Sequence, residues 1–270
     1  MNVLLIGYGK MGKILEGKAP ERGHRIVAVV DPFAGERVSS SGLPVLKTIA
    51  EAESPGGGGS APDVAIELTR PDTAPENIRA LAARRIPVVS GTTGWLDHLG
   101  ELTGLVEQAG SSLLWASNFS LGVNLFYRIA AYAAKLMDPF PEYDVGGWEA
   151  HHNKKADSPS GTAKTLVEGV LAQMSRKKKP LWDTLNRPPA AEELHYASLR
   201  LGSLPGIHSL VFDSSADTIE ITHTARNREG FASGAILAAE WLLSRDPAGK
   251  ARRGVFTMDD VLAGILGPQL

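Results

Sequence analysis

Val3-Leu4-Leu5-Ile6 is apolar at every position and is closed by Gly7. A short run without alternation predicts a strand buried on both faces of a parallel sheet. From Met11 to about Arg22 the pattern changes to a helix, which Gly23 ends. Arg25 to Val30 is a second β-branched run, closed by Asp31-Pro32. Strand, helix and strand make a βαβ unit. Similar runs return at Val64 to Leu68, Ile86 to Ser90 and about Ser112 to Ala116. A helix carrying Ile78, Leu81 and Ala82 lies between the first two. This alternation predicts an α/β fold, a doubly wound parallel sheet, over roughly the first 119 residues.

The pattern shifts after Phe119. Val123 to about Met137 predicts a long helix, Tyr143 to Glu149 a strand, and Thr162 to Met174 another helix after a polar loop. His208 to Phe212 and Thr218 to Thr224 predict strands, the second with apolar and polar residues alternating. Ala232 to Leu243 predicts a final helix. Arg176-Lys177-Lys178-Lys179-Pro180 reads as a solvated helix end. Gly56 to Gly59 reads as a flexible surface loop, because four glycines in a row lose too much entropy inside an element.

Composition narrows the function classes. The 270 residues are 43% hydrophobic and 21% charged, enough for a sizeable core. The net charge of −2 gives no basic excess for nucleic acid. With no cysteine, there are no disulfides, thiolate metal sites or cysteine nucleophiles. No apolar stretch is long enough for a transmembrane helix, and the N-terminus has no signal-peptide pattern. A cytoplasmic enzyme that binds neither membrane nor nucleic acid is the expectation.

Gly7-Tyr8-Gly9-Lys10-Met11-Gly12 matches G-x-G-x-x-G. The motif is informative because it follows a predicted strand, opens a helix, and precedes Asp31 by 19 positions counted from Gly12. Glycines let backbone approach a pyrophosphate, and the helix N-terminus offers free N–H groups. Asp31 stands where a carboxylate accepts hydrogen bonds from a ribose. It would repel a 2′-phosphate, which favours NADH, although Arg37 lies close enough to keep NADPH open. A P-loop is the nearest competitor, since Lys13 follows Gly12, but Ile14 stands where that motif needs Ser or Thr.

Residues 149–163, Glu-Ala-His-His-Asn-Lys-Lys-Ala-Asp-Ser-Pro-Ser-Gly-Thr-Ala, concentrate the remaining chemistry. His151, His152, Lys154 and Lys155 precede Ser160-Gly161-Thr162 at a predicted helix start. A helix N-terminus beside cations suits a small carboxylate, and histidine and lysine can move protons. A solvated basic loop is the competing reading. A metal site is weaker, because no established ligand spacing is present.

This segment resembles the E-A-H-H-x-x-K-x-D-x-P-S-G-T-A signature of the 4-hydroxy-tetrahydrodipicolinate reductase (dihydrodipicolinate reductase) family. The resemblance covers almost the whole chain. It includes Gly7 to Gly12, Glu67-Leu68-Thr69-Arg70-Pro71, Gly91-Thr92-Thr93-Gly94 and Ala116 to Asn124. It continues through Arg200, Gly202, Pro205-Gly206, His208, Ile219 to His223 and Phe231 to Ala235. Departures occur at Ile6, Ser117, Asn153, Lys154 and Ser158, none of them at a position assigned to catalysis.

The resemblance implies a Rossmann-type domain (residues 1–119 and 230–270) carrying an inserted α+β substrate and oligomerisation domain (120–229). It implies reduction of 4-hydroxy-tetrahydrodipicolinate to tetrahydrodipicolinate by NADH or NADPH, in diaminopimelate and lysine biosynthesis. His151 and Lys155 are then the catalytic residues. His152, Lys155, Ser160, Gly161 and Thr162 would hold the dicarboxylate substrate. The cofactor would lie on Gly7, Tyr8, Gly9, Lys10, Met11, Gly12, Asp31, Thr69, Arg70, Gly91, Thr92, Thr93, Ala116, Ser117, Asn118 and Phe119, with no metal. The family implies a homotetramer. A related amine dehydrogenase and a non-catalytic NADH sensor are the alternatives on this scaffold.

Overall fold

The computed structural model describes residues 1–52, 60–182 and 184–267, so the Gly56 to Gly59 loop lies outside the described residues. The chain separates into two units, Met1–Leu121 with Glu229–Leu270, and Gly122–Arg228.

In the first unit, β1 (Asn2–Ile6) leads through α1 (Lys10–Lys18) to its parallel neighbour β2 (Arg25–Val30). The short β3 (Val45–Leu46) and α2 (Ile49–Ala52) follow. The chain then crosses to the other side of β1 with β4 (Val64–Glu67), α3 (Ala74–Ala83), β5 (Val88–Ser90), α4 (Leu99–Ala109) and β6 (Ser112–Trp115). Completed by β12 (Gly254–Phe256), the seven-stranded parallel sheet has the order β12-β6-β5-β4-β1-β2-β3. Val3 and Leu5 enter the core cluster that includes residues of α1 and of α7 (Glu229–Leu243), while Leu4 and Ile6 enter the one with residues of α3 and α4. Alternate side chains thus feed two cores, which is why the run is apolar throughout. Each fully buried Leu, Ile or Val contributes about 1.5–3 kcal/mol.

The second unit contains α5 (Leu121–Met137), whose first residue falls in the first unit, then β7 (Asp144–His151), α6 (Gly161–Leu171), β8 (Lys179–Leu181), β9 (Glu193–Arg200), β10 (Ile207–Asp213) and β11 (Thr218–Thr224). The sheet order is β11-β10-β7-β9-β8, mixed in direction. Phe126 and Ala130 of α5 and Leu166, Val167 and Val170 of α6 pack with Val145, Leu194, Tyr196, Leu210 and Phe212. The chain returns to the first unit with α7 (Glu229–Leu243), β12 (Gly254–Phe256) and α8 (Met258–Leu266).

Three expectations change. The first helix ends at Lys18, and a separate turn of 3₁₀ helix covers Pro20–Arg22. Pro20 lacks the N–H that continuation requires. The basic run at 176–180 is not a solvated helix end. Lys177 is 3% exposed, with Nζ 2.8 Å from the Glu193 carbonyl and 2.6 Å from Asp144, and Lys179 opens β8. Finally, β3, β8, β9 and β12 were absent from the predicted elements.

Candidate active site

The turn after β1 is built by steric necessity at two glycines. Gly7 has φ +93°, and a Cβ there would lie 2.2 Å from the Leu68 carbonyl oxygen. A Cβ on Gly12 would lie 2.2 Å from the Gly7 oxygen, so α1 approaches its own turn too closely for any side chain. Gly9 differs. Its Cβ would meet nothing within 4 Å, and the residue caps α1 from exposed backbone. The first-turn N–H groups of α1 have no acceptor within the helix. Clear access to a helix N-terminus is what a pyrophosphate requires, so this cradle fits a dinucleotide.

Asp31 follows β2 on the wall of a cleft of about 580 Å³ that Gly7, Gly9, Phe33, Thr69 and Arg70 also line. Its Oδ2 accepts from the Tyr8 N–H and its Oδ1 from the Phe33 N–H, both at 2.8 Å. These bonds fix the carboxylate at the ends of β1, β2 and β4, where the strand order reverses. Arg70 lies 5.8 Å from the Phe33 ring centroid and pairs with Asp72 at 2.6 Å. Lys47 also lines the cleft, with Nζ 3.2 Å from the Pro32 carbonyl. Tyr8 itself is buried, its hydroxyl on Glu16 at 2.6 Å, so only its backbone belongs to the turn. Lys10 opens α1 exposed, and Met11 packs half-buried on the core.

The remaining predicted cofactor residues follow the C-terminal ends of β4, β5 and β6. Buried Glu67 organises two of these loops. It accepts from the Ser90 and Thr92 hydroxyls at 2.6 and 3.0 Å, from the Thr69 N–H at 3.0 Å, and from the Thr69 hydroxyl. Gly91 lies against Leu68 and Phe119, where a Cβ would be 2.8 Å from Leu68. Thr93 and Ser117 are exposed, Asn118 is half-buried with Oδ1 accepting from the Ser120 N–H at 2.9 Å, and Ala116 and Phe119 are buried. A Cβ on Gly234 of α7 would fall 1.7 Å from the Phe119 carbonyl oxygen, which accounts for that glycine.

In the second unit, alternation along β7 puts Glu149 and His151 on one face. Glu149 pairs across the sheet with Ser198 on one side and His208 on the other, while His151 pairs with Arg200. Register therefore gathers three strands' polar side chains around one buried carboxylate. Glu149 Oε1 accepts from the Ser160 N–H, the Ser198 hydroxyl and Arg200 Nη2, each at 2.9 Å. Its Oε2 lies 2.8 Å from His151 Nδ1. Burial acts to raise the Glu149 pKa, but the close His151 ring nitrogen and the hydrogen bonds from Ser160 and Arg200 overcome it and hold the carboxyl well below the usual range. His208, its ring 5.2 Å from His151, is pushed down to about 4 by burial.

Ser160 caps α6, its hydroxyl accepting from the Ala163 N–H at 3.1 Å. With its own N–H on Glu149, Ser160 supports the turn, and Gly161 and Thr162 present the first helical N–H groups. The Thr162 side chain is hydrogen-bonded to the hydroxyl of half-buried Tyr127. Lys155 pairs with Asp157 at 2.8 Å, and Arg200 Nη2 also donates to the Asp157 carbonyl at 2.6 Å. His152 is half-buried, its N–H on the Leu204 carbonyl at 2.9 Å. The site thus combines a buried carboxylate–imidazole pair, a lysine and a helix N-terminus, the equipment for delivering a proton to a bound anion.

Glu149, Arg200, His208 and Glu67 were not among the predicted site residues. The i, i+2 spacing of Glu149 and His151 was the available signal for the first. The others depend on register between strands distant in sequence. Glu149, His151 and His208 offer one ligand atom each within 4.8 Å, as a metal set would. The Arg200 guanidinium on the same carboxylate disfavours a cation there.

Family models of dihydrodipicolinate reductase match the chain in two parts, the N-terminus over residues 1–119 and the C-terminus over 122–262. The 4-hydroxy-tetrahydrodipicolinate reductase of Christiangramia forsetii is 38% identical over 265 residues, 98% of this chain and 99% of its own length. That of Archaeoglobus fulgidus is 34% identical over 94% of this chain and 96% of its own. Among solved structures, a dipicolinate-bound dihydrodipicolinate reductase from Paenisporosarcina sp. TG-14 aligns with TM-score 0.73 and 23% identity, covering 95% of this chain and 97% of that one. An amine dehydrogenase from Mycobacterium smegmatis aligns with TM-score 0.61 and 13% identity, over 96% and 95%. At these identities the two structures establish the fold. With both family models and near-full-length relatives in agreement, the chain belongs to the dihydrodipicolinate reductase family.

Proposed function

We propose that this chain reduces 4-hydroxy-tetrahydrodipicolinate to tetrahydrodipicolinate with a reduced nicotinamide cofactor, in diaminopimelate and lysine biosynthesis. The observation that carries this reading is the grouping of His151, Lys155 and the α6 N-terminus in one unit of a chain of this family. One hydride and one proton enter the substrate, and one water leaves. A reduced nicotinamide, when bound, supplies the hydride. Gly7, Gly9 and Gly12 would hold its pyrophosphate, Asp31 its adenosine ribose, and the loops of Thr69, Gly91–Thr93 and Ala116–Phe119 the remainder.

His151 delivers the proton, and Lys155 shares this role while meeting the substrate dianion. His152 and the Gly161 and Thr162 N–H groups complete the carboxylate site, with Ser160 holding the turn in shape. NADH is the favoured cofactor, because the Asp31 carboxylate would repel a 2′-phosphate. Lys47 and Arg70, on the same cleft, supply the positive charge that lets NADPH bind as well. The working form is a cytoplasmic homotetramer, as the family resemblance implies.

Mass spectrometry of the product tests the reaction itself. Substrate made in situ from pyruvate and aspartate semialdehyde should yield a product with one oxygen fewer. Unchanged substrate, with an amine or amino acid reduced or oxidised instead, would favour the amine dehydrogenase alternative.

A further inference from the structure

We propose that Glu149 is the positioning residue of this site: it orients His151 for proton delivery and locks that ring to the turn that begins α6. The inference rests on the proposed reductase reading for its kinetic consequences, but its geometry lies wholly in the second unit.

A fully buried carboxylate is costly unless its oxygens are satisfied. The two oxygens of Glu149 have different tasks. Oε1 takes three donors, from α6, β9 and the Arg200 guanidinium, and these fix the carboxylate plane. Oε2 is left to His151 alone. It lies 2.8 Å from Nδ1, and neither atom has a well-aligned hydrogen-bond partner. The contact is close but off the ideal N–H direction, as catalytic hydrogen bonds often are before substrate arrives. A carboxylate facing Nδ1 places the ring proton there and leaves Nε2 as the atom that gives its proton to substrate. Gly206 keeps that edge uncovered, since a Cβ at this φ of +148° would lie 3.0 Å from Nε2.

The same carboxylate also receives the Ser160 N–H, so the proton donor and the anion-binding turn share one support. Arg200 extends it, bonding Glu149 and the Asp157 carbonyl, while the Asp157 carboxylate holds Lys155. The charged and titratable groups around His151 are Glu149 on its own strand, Arg200 from β9, His208 from β10 with His223 beyond it on β11, and His152, Lys155 and Asp157 from the following loop.

Glu149→Gln is the decisive substitution. The amide oxygen can still accept from Ser160, Ser198 and Arg200, but the NH₂ then faces Nδ1 and forces the other ring tautomer. With turnover measured against pH, kcat should fall about 10²-fold or more, with KM within a few-fold. The descending high-pH limb should move to lower pH, because an adjacent negative charge is gone. An active wild type with an unmoved limb and near-normal kcat in Glu149→Gln would overturn the proposal. Nitrogen-15 NMR of the unsubstituted protein decides the matter even if the variant does not fold. Neutral His151 protonated on Nδ1 supports the proposal, and protonation on Nε2 overturns it. An inactive wild type would instead overturn the reductase reading, leaving the tautomer result to stand by itself.

Discussion

Replacing Gly9 by Ala, with Gly12→Ala as its counterpart, separates ligand approach from packing within one six-residue turn. The structure makes opposite demands at the two positions. A Cβ on Gly12 would sit 2.2 Å from the Gly7 carbonyl oxygen, so α1 must move away from β1 to admit it. Overpacking of this kind costs about 1–3 kcal/mol, equivalent to a drop of roughly 2–10 °C in melting temperature for a domain of this size. A Cβ on Gly9 meets no protein atom within 4 Å, and its φ of −78° suits any residue. Its cost is that of a poorer N-cap, under about 1 kcal/mol. That methyl occupies the space through which a pyrophosphate would reach the α1 N-terminus. Losing a favourable helix-end contact of about 1–2 kcal/mol weakens NADH binding about tenfold or more. Thermal unfolding of the apoprotein and NADH titration by fluorescence measure the two effects separately. Gly9→Ala binding NADH as tightly as wild type, or destabilised as much as Gly12→Ala, would refute this assignment of roles.

Three further outcomes follow from the site. Lys155→Ala should lower kcat by about 10²-fold with NADH affinity unchanged, and a near-normal kcat would remove Lys155 from the chemistry. Asp31→Ala should weaken NADH more than NADPH, and an unchanged ratio of the two dissociation constants would refute the ribose contact. His208 titrates at about 4 when folded against 6.5 as the unperturbed value, because burial disfavours its charged form. Between these values the unfolded chain binds the extra proton, so stability present above pH 6.5 is lost as pH falls towards 4, by an amount on the order of 1–3 kcal/mol. Thermal melts across that window should show a shallower decline in His208→Gln, and an equal decline would remove His208 as the cause.

Local chemistry explains which parts of the molecule were legible in the sequence. The β1 run, the glycine turn and α1 sit within 17 residues and carry their own period, steric requirement and helix start. Strand β9 escaped because its alternation fails at its end. Leu194 and Tyr196 are buried, but Ser198 turns towards Glu149 and Leu199 is half exposed. Strands of two or three residues, such as β3, β8 and β12, are too short for any period to register. Lys177 looked like a solvated cation because its two oxygen partners, on Asp144 and Glu193, lie 33 and 16 residues away in the sequence. At the chemical site, His151, Lys155 and the α6 start announced themselves as one motif. Glu149's role did not, because Arg200 and His208 reach it only through strand register.

Absorbance at the reduced-nicotinamide band reports in one experiment whether the chain is a reductase and which cofactor it uses. Purified protein would be mixed with NADH or NADPH and with substrate generated in situ from pyruvate and aspartate semialdehyde. Oxidation should require the substrate and run faster with NADH at limiting cofactor. Folded protein that binds NADH yet oxidises neither cofactor would contradict the reductase reading.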